Sequence, residues 1–178
     1  MNFYEQLMDE HRLIEHMVHL IDEQVKMIEE KNEINLAVID LITDFLKTYA
    51  SSCHERKEEA ILFKKLEEKD IPDSYRETIK VLKADHEFAR ETVVKIISER
   101  EDYIAGSKES LMEIINQLRA LVKLYPKHIK KEEDEFYKQA VDYLTSNEES
   151  GMIDDFNKLD QELIHKKYQQ VVERLENS

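Results

Sequence analysis

The chain has 178 residues with forty acidic and twenty-six basic side chains, and its formal charge of −14 argues against nucleic acid as a partner. Two Gly, two Pro and no Trp, with Glu, Lys, Leu and Ile abundant, argue against a strand-rich fold and predict an all-α one. No apolar run approaches membrane-spanning length, the N-terminus is acidic where a signal peptide would be basic, and the single Cys53 cannot form an internal disulfide. These features predict a cytoplasmic protein with no membrane partner.

Apolar residues alternate at three and four positions in successive segments, the signature of amphipathic helices. The first segment carries Phe3, Leu7, His11, Ile14, Val18, Ile21, Val25 and Ile28, with Asn2 and Glu5 placed as a capping box. The second carries Ile39, Ile42, Leu46, Ala50, His54, Glu58, Ile61 and Leu62 and must end before Pro72. The third is expected to start near Asp73 or Ser74, with Glu77 completing a cap, and runs through Ile79, Leu82, His86, Ala89, Val93 and Ile96 to a stop at Gly106 and Ser107. The fourth runs Leu111, Ile115, Leu118, Val122, Tyr125, His128, Glu132 and Phe136, with Pro126 marking either a kink or a boundary between two helices. A shorter fifth helix is expected after Ser150 and Gly151, using Met152, Phe156, Leu159 and Leu163. Short connections make sequential helices antiparallel neighbours. The expected architecture is one domain over 1–178: an antiparallel up-and-down four-helix bundle over about 3–144, and a C-terminal helix over about 151–176.

The apolar seams are interrupted by polar residues in a repeated pattern. His11 lies between Leu7 and Ile14, and His86 between Leu82 and Ala89. The second and fourth helices each carry a His-x-x-x-Glu pair, His54 with Glu58 and His128 with Glu132, and residues four apart share one helical face. His11 and His54 are 43 positions apart and His86 and His128 are 42 apart, so the chain reads as two matched helical hairpins. Burying four imidazoles and two carboxylates unpaired costs several kcal/mol per charge. Mutual salt bridges could offset that cost, but bound cations do so better, because both residue types are metal ligands. The matched spacing suits two metals, each with two imidazoles and with carboxylates available to bridge them.

Four stretches resemble the hemerythrin-like, HHE cation-binding domain. They are His11 in Asp-Glu-His-Arg-Leu-Ile, Cys-His-Glu-Arg-Lys-Glu-Glu-Ala-Ile-Leu-Phe at 53–63, Asp-His-Glu-Phe-Ala-Arg at 85–90, and Tyr-Pro-Lys-His-Ile-Lys-Lys-Glu at 125–132. The resemblance covers roughly residues 3–144. It implies two iron ions in an oxo- or hydroxo-bridged diiron centre, with His11, His54, Glu58, His86, His128 and Glu132 as ligands. The oxygen-storing members carry a fifth histidine one turn after the third-helix ligand, where this chain has Arg90. The resemblance is therefore closer to the bacterial branch linked to oxygen, nitric oxide or iron sensing and to repair of iron centres.

Other polar residues read differently. His16 and His19 lie off the seam and are expected at the surface, while His165 either covers the bundle or supplies a fifth imidazole. Glu55 is expected to be solvated, with ligation as the alternative; Tyr125 is expected to pack, and Cys53 to fill space in the core. The functional expectation is a non-haem diiron protein that binds or senses a small diatomic ligand, oxygen or nitric oxide, or handles iron. The alternative is a diiron enzyme, a peroxidase, oxidase or iron-centre repair protein. A sensing role would need a separate, unidentified protein partner, since no output domain is visible in the sequence.

Overall fold

The computed structural model describes residues 2–160 and 162–177, with the side chains of Glu162, Leu163 and Lys166 outside the described set, so the predicted seam role of Leu163 lies there too. Six helices follow one another, with no strand among the described residues. Helix α1 spans Phe3–Lys31, and the Asn2 side chain and Glu5 cap it reciprocally as the sequence predicts. Helix α2 covers 36–67, α3 spans Asp73–Ile104, α4 covers 109–143, α5 spans Ser146–Leu159 and α6 spans Glu162–Glu176. None of them is long and apolar enough to cross a membrane.

Several boundaries differ from the sequence reading. Helix α3 starts at Asp73 as expected, but the expected cap is absent: Pro72 supplies a fixed φ and no side-chain cap, and Glu77 bonds to Lys80 instead. The expected single C-terminal helix is two. The first begins five residues before Gly151 because Thr145 and Glu148 form a capping box, and the chain leaves it at Asp160 in extended geometry. Gly151 sits inside that helix, without the left-handed backbone that marks Gly106 at the turn between α3 and α4. Pro126 neither breaks nor bounds α4, which is helical through it.

Ion pairs record how the helices lie against one another. Arg12 meets Glu133 and Glu29 meets Arg119, so ascending positions on α1 face descending positions on α4. Asp40 meets Arg100, Glu55 meets Arg90 and Glu67 meets Lys83, which gives the same order between α2 and α3. Tyr75 donates to the Phe136 carbonyl and Asp85 meets His128, which relates α3 to α4 alike.

The apolar interior is divided in two. One cluster holds Ile14, Ala50, Ala89 and Tyr125 and extends to Tyr168, Val172 and Leu175 of α6. The other holds Leu7, Leu62, Leu82 and Phe136 with Met152 and Phe156 of α5. Between them, on each of α1 to α4, lie the polar seam residues. Burying both clusters drives folding in the ordinary way, but it commits the intervening polar belt to a dry interior.

Candidate metal centre

All six residues singled out by the sequence, His11, His54, Glu58, His86, His128 and Glu132, are buried and brought together. His11 and His86 arrive on regular α-helix. The helices that deliver two groups each are locally widened: π-helical turns cover Leu46–Glu55, Glu58–Phe63 and Glu132–Phe136, and the Arg56 N–H reaches back to the Ser51 carbonyl. On a regular helix, residues four apart diverge by about 40° in direction, because each step turns about 100°. A wider turn rotates less per residue and is a local device common at functional sites; here such turns carry His54 and Glu58, and another begins at Glu132, just past the regular turn that joins it to His128. The seam pattern carries no sign of it, since apolar periodicity persists on both sides.

Two overlapping groups form, His11, His54, Glu58 and Glu132 on one side and Glu58, His86, His128 and Glu132 on the other, with ligand-type atoms within 4.8 Å of one another in each. Both carboxylates are common to the two groups. Glu132 turns one oxygen to His11 Nε2 at 3.1 Å and the other to His128 Nε2 at 3.1 Å. Glu58 Oε2 lies 3.6 Å from His54 Nε2 and 3.3 Å from His86 Nε2.

Every imidazole has the same orientation, and its outer nitrogen explains why. Nδ1 faces a carboxylate in each case: His11 with Glu133 at 2.9 Å, His54 with Glu10 at 2.9 Å, His86 with Glu59 at 2.8 Å and His128 with Asp85 at 3.3 Å. An ionised carboxylate only accepts, so Nδ1 carries the proton and Nε2 keeps its lone pair. Four lone-pair nitrogens and two carboxylates therefore converge, and the phenol of Tyr137 is a donor that reaches them, 2.5 Å from Glu58 Oε1 and 3.4 Å from His11 Nε2. His54 Nε2, Glu58 Oε2 and both oxygens of Glu132 have no hydrogen-bond partner, because the 3.1 Å contacts of Glu132 lack hydrogen-bond alignment. His86 Nε2 and His128 Nε2 face each other at 3.0 Å, which two lone pairs tolerate only with a proton or a cation between them. Orphaned acceptors at this burial cost a few kcal/mol each unless a positive charge sits among them. The residues fit a metal site.

Without metal, protons supply that charge. Burial opposes charging of His11 and His128, but the surrounding carboxylates outweigh it and carry both up to about 9. His86 is likewise raised against its burial by Glu58 and Glu59. Burial also resists ionisation of Glu132, yet His128 and His11 hold its carboxyl well below the usual range.

The acids behind the imidazoles were not found from the sequence. Glu10, Glu59, Asp85 and Glu133 each sit beside a ligand-type residue in the chain but serve an imidazole on another helix, and each also touches a cation: Lys57, Arg90, Lys131 and Arg12, respectively. Glu55, expected to be solvated, is instead 3% exposed, with burial raising its pKa, and bonds to Arg90 at 3.1 Å. Arg90 is occupied by Glu55, Glu59 and Glu87 and does not enter the cluster. His165 lies outside it as well, against Asp160 at 2.9 Å and Tyr49 at 3.2 Å. His16 and His19 are exposed, Tyr125 is packed in the core and Cys53 is buried, as the sequence suggests.

A helical protein with a buried His and Glu belt able to hold metal is the class these features define. The family model of the hemerythrin HHE cation binding domain matches residues 2–140, and the chain belongs to that family. Comparison with curated proteins and with solved structures gives no match.

Proposed function

We propose that this chain is a single-domain, antiparallel four-helix bundle that holds two iron ions and uses them to bind or sense a small diatomic ligand, oxygen or nitric oxide. The opposed order of ion pairs along neighbouring helices supports the antiparallel reading. His11 and His54 would hold one iron, His86 and His128 the other, and Glu58 and Glu132 would serve both. The observation that carries this reading is the convergence of four Nε2 lone pairs and two carboxylates with half of their acceptor atoms orphaned.

Iron is preferred because a mixed imidazole and carboxylate set suits it, and because the resemblance to the hemerythrin-like domain, a cation-binding family, implies it. When bound, a reduced iron pair supplies electron donation and coordination positions for a diatomic ligand. The chain's own residues fix the imidazoles through Nδ1, exclude water with the two apolar clusters, and place the Tyr137 hydroxyl beside Glu58. Four histidines and two carboxylates offset less metal charge than the four Glu and two His of ferritin-like centres, which favours the reduced state and reversible binding. At the position one turn after His86 stands Arg90, which cannot ligate, so oxygen storage is disfavoured relative to sensing.

The experiment is elemental analysis after iron-replete expression, followed by anaerobic reduction and exposure to nitric oxide and oxygen in turn. About two irons per chain and a nitric oxide adduct are expected. Trace metal in well-folded protein would overturn the reading. Rapid catalytic turnover of peroxide would instead favour the diiron enzyme.

A further inference from the structure

Residues beyond 140 lie outside the family match, yet one of them reaches the metal centre through an unbroken chain of charged contacts. Asp160 stands where the backbone leaves α5. Its carboxylate meets the ammonium of Lys57, which is 0% exposed, and Lys57 in turn meets Glu10. Glu10 accepts from His54 Nδ1 at 2.9 Å, and His54 Nε2 points into the cluster. Asp160 is itself held from several sides: His165 Nε2 at 2.9 Å, the Cys53 thiol at 3.2 Å and the Gln6 amide.

We propose that Asp160 is a positioning residue for the metal held by His11 and His54, so that the C-terminal helices set the affinity of one of the two metal positions. This rests on reading His54 as a ligand. An ammonium as deeply buried as that of Lys57 needs both of its carboxylates. With Asp160 present, Lys57 is shared, and Glu10 keeps one oxygen for His54 Nδ1. With Asp160 neutralised, Lys57 leans on Glu10 alone. Glu10 then holds His54 less firmly, and an unbalanced positive charge faces the cation bound by His54. The other pair of imidazoles is backed by Glu59 and Asp85, which have no link to Asp160 in these contacts. The effect is therefore expected at one position and not at both.

Anaerobic titration of the apo full-length chain with cobalt(II) alone tests this through its two binding steps, assigned by which step His54→Ala or His128→Ala removes. In Asp160→Asn the step removed by His54→Ala should weaken roughly tenfold, the usual cost of losing an outer partner of a ligand, while the other step holds. Asp160→Glu should restore it. Lys57→Gln with Asp160→Asn, which removes both charges, should return that step to within about threefold of wild type, and this variant keeps the test open if the single one folds poorly. Tyr168→Phe, which loosens α6 at its 2.8 Å bond to Asp44 without touching Lys57, should leave both steps unchanged. Unchanged steps in Asp160→Asn, or equal weakening of both steps shared with Tyr168→Phe, would overturn the role of Asp160. A wild type that takes up no cobalt would instead refute the metal reading beneath it.

Discussion

Stripping the metal should reverse the pH dependence of stability. In the apo protein His11 and His128 have pKa values of about 9 in the fold against an ordinary 6.5, carried there by carboxylates that outweigh their burial. A pKa raised on folding contributes stability that is complete below 6.5 and is lost as pH rises through 9. The interval from 6.5 to about 9 corresponds to about 3 kcal/mol for one imidazole. Because both histidines lean on Glu132, their contributions overlap, and the value for one is taken as the expected loss. For a chain of this size, a loss of about 3 kcal/mol lowers the melting midpoint by about 6–12 °C. The loaded protein should behave oppositely, since metal needs Nε2 free of protons and is displaced on acidification. Thermal melts followed by circular dichroism, on chelator-stripped and iron(II)-loaded protein between pH 6.5 and 9, read both slopes. An apo midpoint that stays level or rises over that range would refute the reasoning, as would an unchanged slope in Glu132→Gln.

Replacing His54 or Glu132 with Ala should halve or abolish metal content by elemental analysis, whereas His16→Ala, at a side chain 65% exposed, should leave it intact. Asp85→Asn should weaken metal binding roughly tenfold at the position held by His128 while leaving the chain folded, read by metal titration and by melts of the apo protein. His165→Ala should keep the full metal count, because its ring faces Asp160 and Tyr49 and not the cluster. A variant that loses one iron per chain would restore the five-histidine alternative.

The six seam residues were legible because an amphipathic helix declares its buried face through apolar neighbours, and a polar residue such as His86 between Leu82 and Ala89 stands out against them. The four bundle helices followed from the same periodicity. The acids behind the imidazoles were not legible, because Glu10, Glu59, Asp85 and Glu133 occupy flank positions where a solvated acid is the usual occupant. Their adjacency to ligand-type residues was the available signal: one step along a helix turns about 100°, from facing the core to facing the neighbouring helix. Glu55 misled for the same reason, and its burial comes from packing beside Arg90 that no single-helix pattern encodes. The widened turns and the division of the C-terminal segment depend on backbone bonding and on the Thr145 cap, which apolar spacing does not report.

The flanking acids form a closed circuit. Glu10 on α1 serves His54 on α2, Glu59 on α2 serves His86 on α3, Asp85 on α3 serves His128 on α4, and Glu133 on α4 serves His11 back on α1. The acid precedes its neighbouring ligand-type residue on α1 and α3 and follows it on α2 and α4, an alternation that suits the proposed antiparallel order. The four helices are therefore meshed like gears. None can rotate about its own axis without moving two imidazoles at once, the one it carries and the one it steers. A disturbance transmitted from the C-terminal pair through Lys57 and Glu10 therefore falls first on His54, while His86 and His128, steered by Glu59 and Asp85, stay in place unless a whole helix turns.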